Sequence, residues 1–170
     1  RLAAPAHDLV LNYRSNPDGA AAVKAEAEAL GARVALAQGD VAEPDDIASI
    51  YKVVDDTFGR IDVLINNAGI VDKSAKLTKM DHARLSRMMN VNVIGAMLVA
   101  KEAVIRMQAQ GEGGAIINIS SAAARLGSAN QYVDYAASKA AIDIFTKGLS
   151  DEVAQDNLRV MSIRPGLIDT

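Results

Sequence analysis

The stretch IDVLINNAG (61–69) decides the fold. Its first half is a short run dominated by Val and Ile, and its second half is two asparagines, an alanine and a glycine. An apolar run of that length without polar alternation reads as a strand buried on both faces, here running into a polar turn. On its N-terminal side EPDDIASIYKVVDDTFG (43–59) reads as a helix. Pro44 opens it, and Asp45 and Asp46 suit the positive end of its dipole. On the other side a polar loop leads into a helical stretch over roughly 81–109. A buried strand between two helices is the repeating unit of a parallel α/β sheet.

The rest of the chain repeats that unit. LVLNY (9–13) is a short strand, followed by a helix over SNPDGAAAVKAEAEALGA (15–32), with Pro17 near its start and Gly31 close to its end. RVALAQGDV (33–41) and AIINISS (115–121) read as further strands, 132–156 as a long helix, and LRVMSIRPG (158–166) as a last strand stopped by Pro165 and Gly166. No linker, internal repeat or low-complexity tract interrupts the pattern, so one domain over 1–170 is expected. The fold class is α/β, a doubly wound parallel sheet with both faces covered.

Composition removes several functions. The net charge is −3, and the basic residues are scattered without a face or run suited to nucleic acid. There is no cysteine, which excludes disulfides and thiol chemistry and suits a reducing cytoplasm. No cluster of metal ligands is apparent, and no apolar run approaches the ~20 residues that span a bilayer. The opening RLAAPAHDLVLNY lacks the apolar core and cleavage site of a signal peptide.

In open parallel sheets, ligands bind at the carboxyl ends of the strands. Polar or turn-forming residues collect at all of them: NYRS (12–15), GDV (39–41), NNAG (66–69), SS (120–121) and RPG (164–166). Turn chemistry explains one or two such ends more easily than five. Just beyond the fourth, QYVDYAASK (131–139) holds two tyrosines and one lysine. Tyr135 and Lys139 are four apart and share a helix face, whereas position 136, four on from Tyr132, is alanine. An ammonium beside a phenol favours the phenolate, which is what a general acid for a carbonyl requires. Tyr-x-x-x-Lys alone is weak, because two tyrosines on adjacent turns can simply pack. Ser121 ends a strand, where its hydroxyl is placed either to cap a turn or to hold a substrate oxygen, and Ser120 competes for that role. Asn92 interrupts an apolar helical stretch. Its amide competes for backbone hydrogen bonds, so it is either a satisfied buried amide or the centre of a local kink that binds water and relays protons to Lys139.

Taken in order, NNAG, NVIG, the serine pair, YAASK and RPG resemble the short-chain dehydrogenase/reductase family in its single-domain NAD(P)-dependent form, over essentially the whole chain. The general look is similar to glucose-dehydrogenase-like and 3-oxoacyl-carrier-protein-reductase-like members. The resemblance implies a Rossmann-like fold and hydride transfer between a nicotinamide cofactor and a carbonyl or alcohol. It makes Tyr135 the acid/base, Lys139 its electrostatic partner and a ligand of the nicotinamide ribose, Ser121 the residue orienting the substrate oxygen, and Asn92 the end of the proton relay. Ser121 and Tyr135 lie fourteen positions apart, one more than is common in the family, and a one-residue loop extension accounts for it. Asp40 and Val41 would border the adenine; Asn67, Ala68 and Gly69 would line the cofactor path; Pro165, Gly166 and Ile168 would flank the nicotinamide. The first strand ends in Asn12, Tyr13, Arg14 and Ser15, with no acid to meet a free ribose. Arg14 and Ser15 instead suit a 2′-phosphate, so NADP(H) is expected over NAD(H).

The family opens with a strand and a glycine-rich phosphate loop, and these 170 residues contain neither. GEGGA (111–115) precedes a strand and does not join a strand to a helix. The first strand, its loop and the C-terminal lid and last strand are therefore expected to lie outside this chain, leaving it inactive by itself. The implied partners are a small carbonyl or alcohol substrate and further copies of the chain, as a dimer or homotetramer through helices 88–109 and 132–156. Nucleic acid and membrane are not expected. Two other readings stay open: a non-catalytic assembly module that keeps the fold, and an epimerase or dehydratase of the extended branch, which shares Tyr-x-x-x-Lys.

Overall fold

The structure, a computed structural model, describes residues 3–166. Its elements run β1 (Asp8–Tyr13), α1 (Pro17–Ala29), β2 (Arg33–Gln38), α2 (Pro44–Thr57), β3 (Val63–Asn66), α3 (His82–Met89), α4 (Ala96–Gln110), β4 (Gly114–Ile119), α5 (Ala123–Leu126), α6 (Val133–Glu152) and β5 (Leu158–Ile163). Every strand pairing is parallel. The chain divides into two compact units between Ile61 and Asp62.

In the first unit β1 pairs with β2 from Asp8↔Arg33 to Tyr13↔Gln38. Asn16 caps α1 by accepting the Gly19 N–H at 2.9 Å, and Pro17 follows with its φ preset for a helix. The chain leaves α1 through Gly31 at φ +92°, a left-handed value that a β-carbon would strain. In α2 the buried residues Ile47, Ile50, Tyr51 and Val54 recur at helical spacing and form one apolar stripe. Both helices pack against the β1–β2 pair.

In the second unit the strand order is β3-β4-β5. β4 is the central strand and buries Ala115, Ile116 and Asn118. β3 departs from the expectation of a strand buried on both faces: Val63 is 53% and Ile65 37% exposed. α4 packs on the face that carries Leu64 and Asn66, while the opposite row, Val63 and Ile65, is left uncovered. The expected long helix runs unbroken from His82 to Gln110, but six of its residues, Asn90–Gly95, are wound as a π-helix. By length and composition this helix could cross a membrane, which corrects the reading that no segment is long and apolar enough. More than half of its most apolar stretch is buried, and along the helix Met88, Val91, Val93, Val99, Ala100, Ala103 and Met107 are buried, which marks a core helix.

Two asparagines tie this unit together. Asn66 and Asn118 are register partners on β3 and β4. Asn66 Nδ2 donates to the Ala96 carbonyl at 2.8 Å and to Asn118 Oδ1 at 3.2 Å. Asn118 Nδ2 donates to Thr146 Oγ1 at 2.9 Å, and Thr146 donates to the Ile142 carbonyl at 2.7 Å. The chain of bonds joins β3, β4, α4 and α6 in the buried interior, where an unmet polar group is costly. Asn118→Ala is expected to destabilise the protein by about 1–3 kcal/mol. An unchanged urea midpoint would contradict that.

Candidate active site

The site lies in the second unit, at the carboxyl ends of β3, β4 and β5. α6 starts after Tyr132, which caps it without a side-chain bond, so Tyr132 is a boundary residue and Tyr135 lies in the first turn. Lys139, one turn on, is 5% exposed. Its Nζ donates to the Ile119 carbonyl, at the end of β4, at 2.7 Å and lies 5.8 Å from the centre of the half-buried Tyr135 ring. Burial lowers the Lys139 pKa, while Asp143 one turn further on opposes that shift and favours the ammonium. Asp143 is itself paired with Arg164 of the RPG segment at 2.7 Å. Tyr135, Lys139 and Asp143 thus follow one another at four-residue spacing along one face of α6, and Arg164 ties the last of them to the end of β5.

The serine pair separates by geometry. Ser120 is 3% exposed and donates its hydroxyl to the Lys139 carbonyl at 3.1 Å, a bond that fixes α6 against the end of β4. Ser121 is half-buried, and its Oγ accepts the Ala123 N–H at 3.1 Å, which leaves its proton to donate. Ser121 lies just before α5, the short helix between β4 and α6.

Asn92 is buried within the π-helix, and of the two readings open for it the structure shows the satisfied buried amide. Its Oδ1 accepts the Ile70 N–H at 2.7 Å, and its Nδ2 donates to the Ile70 carbonyl at 2.9 Å and to Ser138 Oγ at 3.0 Å. The amide therefore mimics a backbone strand and holds the residue that follows NNAG. Both of its ends are used this way, and its link to Lys139 is one of proximity: a β-carbon built on Gly69 would lie 3.4 Å from Asn92 Oδ1 and 3.4 Å from Lys139 Nζ. Gly69 is exposed, as is Asn67, so this strand end offers open backbone beside the ammonium. Pro165 accepts the Ala122 N–H at 2.9 Å, bringing the end of β5 beside the serine loop. Gly166 follows, and Ile168 lies outside the described residues.

In the first unit Asn12 donates to the Ala37 and Gly39 carbonyls at 3.1 and 3.0 Å and so fastens the end of β1 to the turn after β2. Arg14 is 60% exposed and reaches Asp40 at 3.5 Å. Asp40 also receives the Ala42 N–H at 2.9 Å, and Asp46 accepts the Asp40 N–H at 2.7 Å. Arg14, Gln38, Gly39, Asp40, Asp46 and Ser49 line a polar cleft of about 340 Å³. Ser15 is exposed beside Arg14, and Val41 is buried.

The profile of the family described as short chain dehydrogenase matches residues 1–170. The chain belongs to this family. It is 39% identical to the uncharacterized oxidoreductase YgfF of Escherichia coli strain K12, over 99% of this chain and 69% of that protein. With a 3-oxoacyl-[acyl-carrier-protein] reductase of Synechocystis it shares 36% identity, over 99% of this chain and 67% of that one. A solved short chain dehydrogenase of Burkholderia cenocepacia, in complex with NADP, superposes with a TM-score of 0.89 at 32% identity, covering 96% of this chain and 65% of that one. The chain therefore spans about two thirds of the length of these relatives. The α/β, Rossmann-like class expected from the sequence is the fold of this short-chain dehydrogenase.

Sequence reasoning passed over Asn66, Asn118 and Ser138. The signal for the first two was present: VLIN (63–66) and AIIN (115–118) each end three apolar residues in asparagine. Ser138 gives no such signal, because its role depends on Asn92, which is distant in sequence.

Proposed function

We propose that this chain carries the acid/base apparatus of an oxidoreductase that moves hydride between NADP(H) and a carbonyl or secondary alcohol. The observation that carries this reading is the Tyr135–Lys139 pair, with the ammonium tied to the end of β4 and set 5.8 Å from the centre of the half-buried Tyr135 ring. When bound, the nicotinamide cofactor supplies or takes the hydride. In the reducing direction Tyr135 gives its hydroxyl proton to the substrate oxygen, and in the oxidising direction it takes that proton back. Lys139 stabilises the phenolate and meets the nicotinamide ribose. Ser121 donates to the substrate oxygen, and Asn92 completes the relay that returns a proton toward Lys139. Asn67, Ala68 and Gly69 line the cofactor path, with Pro165, Gly166 and Ile168 at its nicotinamide end. The open backbone at Gly69 beside Lys139 Nζ supports that fit. A substrate screen on the intact protein, following NADPH absorbance with aldehydes, ketones and secondary alcohols, tests the reading. Turnover that survives Tyr135→Phe undiminished would refute it.

The cofactor preference rests on the end of β1. Asn12, Arg14, Ser15, Asp40 and Val41, all in the first unit, are the residues proposed to meet the adenosine part of the cofactor. An exposed ion pair as long as that of Arg14 and Asp40 is worth little, so the guanidinium is available to a 2′-phosphate. Arg14→Ala is expected to raise KM for NADPH by about tenfold, the loss of one charge-assisted contact, and to leave KM for NADH unchanged. Equal effects on both cofactors would contradict the assignment.

One family profile over 1–170 supports reading both units as parts of a single domain. No glycine-rich strand-to-helix loop occurs within these residues, so we expect them alone to bind NADPH weakly and to be inactive. Tight binding in a fluorescence titration would overturn that. Ile94, Met97 and Ile105 on the His82–Gln110 helix and Ile144 on α6 are exposed apolar residues, which supports a homodimer or homotetramer through these helices. A monomer of the intact protein in sedimentation would count against it. The absence of cysteine supports a cytoplasmic location.

A further inference from the structure

The geometry points to Arg84 as a positioning residue for the reaction, acting through Asp134 to hold the first turn of α6, and Tyr135 with it, in register with the segment that follows NNAG. This rests on the reading of Tyr135 as the acid/base. Arg84 Nε and Nη2 donate to the two carboxylate oxygens of Asp134 at 2.7 and 3.2 Å, a two-point grip between α3 and α6. Its remaining nitrogen, Nη1, donates to the Lys73 carbonyl at 2.7 Å. The pair is well shielded, with the side chains 11% and 1% exposed. One turn along α3, Arg87 pairs with Asp72, so two arginines fasten both residues of the 72–73 segment. The Ala75 N–H reaches the Gln131 carbonyl at 2.9 Å and joins the same segment to the approach of α6.

The need for such a grip follows from how α6 begins. Its cap residue, Tyr132, makes no side-chain bond to the free N–H groups of the first turn. An uncapped first turn frays, and Tyr135 lies in that turn. Asp134, the residue next to Tyr135 in that turn, is held from outside the helix instead: Arg84 anchors its carboxylate to α3 at two points. Burial by itself would raise the Asp134 pKa, but the Arg84 bond and the Tyr135 N–H outweigh it and hold the carboxyl below its ordinary value. The carboxylate therefore stays charged where the helix start requires an acceptor. Arg84 touches neither the phenol nor the ammonium in this arrangement. It acts by fixing where the phenol stands.

The test uses the intact protein with Arg84→Met, Arg84→Lys and the apolar double variant R84M/D134L, and Tyr135→Phe in parallel. Hydrogen exchange is followed at residues 133–137 and 73–75, with kcat, NADPH dissociation constant and thermal midpoint measured on the same samples. Arg84→Met is expected to speed exchange in both segments and to lower kcat by about 10- to 100-fold, the effect of a displacement near 1 Å. The NADPH dissociation constant is expected to stay within about threefold, well under one contact's worth. Arg84→Lys, which keeps the charge, is expected to recover part of kcat. If Arg84→Met does not fold, the double variant decides, since it leaves no buried charge unpaired and is expected to show the same loss of kcat. A wild-type kcat, unchanged exchange, or a loss of kcat matched by equal losses of cofactor affinity and folded fraction overturns the assignment. Loss of kcat in Tyr135→Phe with none in the Arg84 variants refutes this inference alone. Full activity in Tyr135→Phe refutes the reading beneath it.

Discussion

Tyr135→Phe is expected to lower kcat by about 10²- to 10⁴-fold, the contribution of a positioned general acid. The substitution removes one hydroxyl from a half-buried ring and leaves the packing of α6 intact. The NADPH dissociation constant and the thermal midpoint should therefore move little, so the loss falls on kcat. Tyr132→Phe is the matched control. Tyr132 bounds the helix and has no lysine one turn on, so the same deletion there should cost far less. A comparable loss at Tyr132 would mean that the two tyrosines have been assigned the wrong way round.

The second large effect is expected from Lys139→Met. Removing the ammonium takes away the positive charge beside the Tyr135 ring, and kcat is expected to fall by about 10²- to 10³-fold, in the range of other preorganised electrostatic groups. Stability should move with a distinct pH signature. Burial lowers the Lys139 pKa in the folded protein, with Asp143 opposing it, while the unfolded chain restores the ordinary value. Below the folded pKa both states hold the proton, and the folded state carries the full cost of the buried cation. Between the two values the unfolded state binds more protons, so wild-type stability gains as pH rises toward the ordinary lysine range of about 10. Lys139→Met lacks this gain. The variant's stability relative to wild type should thus be most favourable near neutrality and become less so as pH rises. Urea denaturation at about pH 7 and about pH 10 checks the sign; a relative stability that improves with pH contradicts it.

Much of this was legible locally. Pro17, Pro44 and Gly31 mark helix ends through their own backbone preferences, and the structure keeps them at those ends. Asn92 in NVNVIG stands out because a short amide in an apolar helix competes with the helix for hydrogen bonds, and the structure holds it as a satisfied buried amide within a six-residue π-helix. The Tyr135–Lys139 contact follows from a spacing of four on one helix. What escaped the sequence depends on partners far along the chain. Asp134 looks like an ordinary first-turn acid until Arg84, fifty positions earlier, is brought against it. Ser120 and Ser121 are neighbours of identical chemistry, and their partners in the fold, the Lys139 carbonyl and the Ala123 N–H, tell them apart. The exposure of Val63 and Ile65 depends on which face of β3 α4 covers, which an apolar run does not encode.

The most direct measurement of the central claim follows the hydride and the proton together. The intact protein, with NADPH deuterated at the transferring position and the carbonyl compound found in the screen, should give an alcohol carrying deuterium at the former carbonyl carbon. Tyr135→Phe should bind the same cofactor with similar affinity and form that labelled alcohol at least about 10²-fold more slowly. Label transfer at an undiminished rate in Tyr135→Phe, or an alcohol formed without label by the wild type, would contradict it.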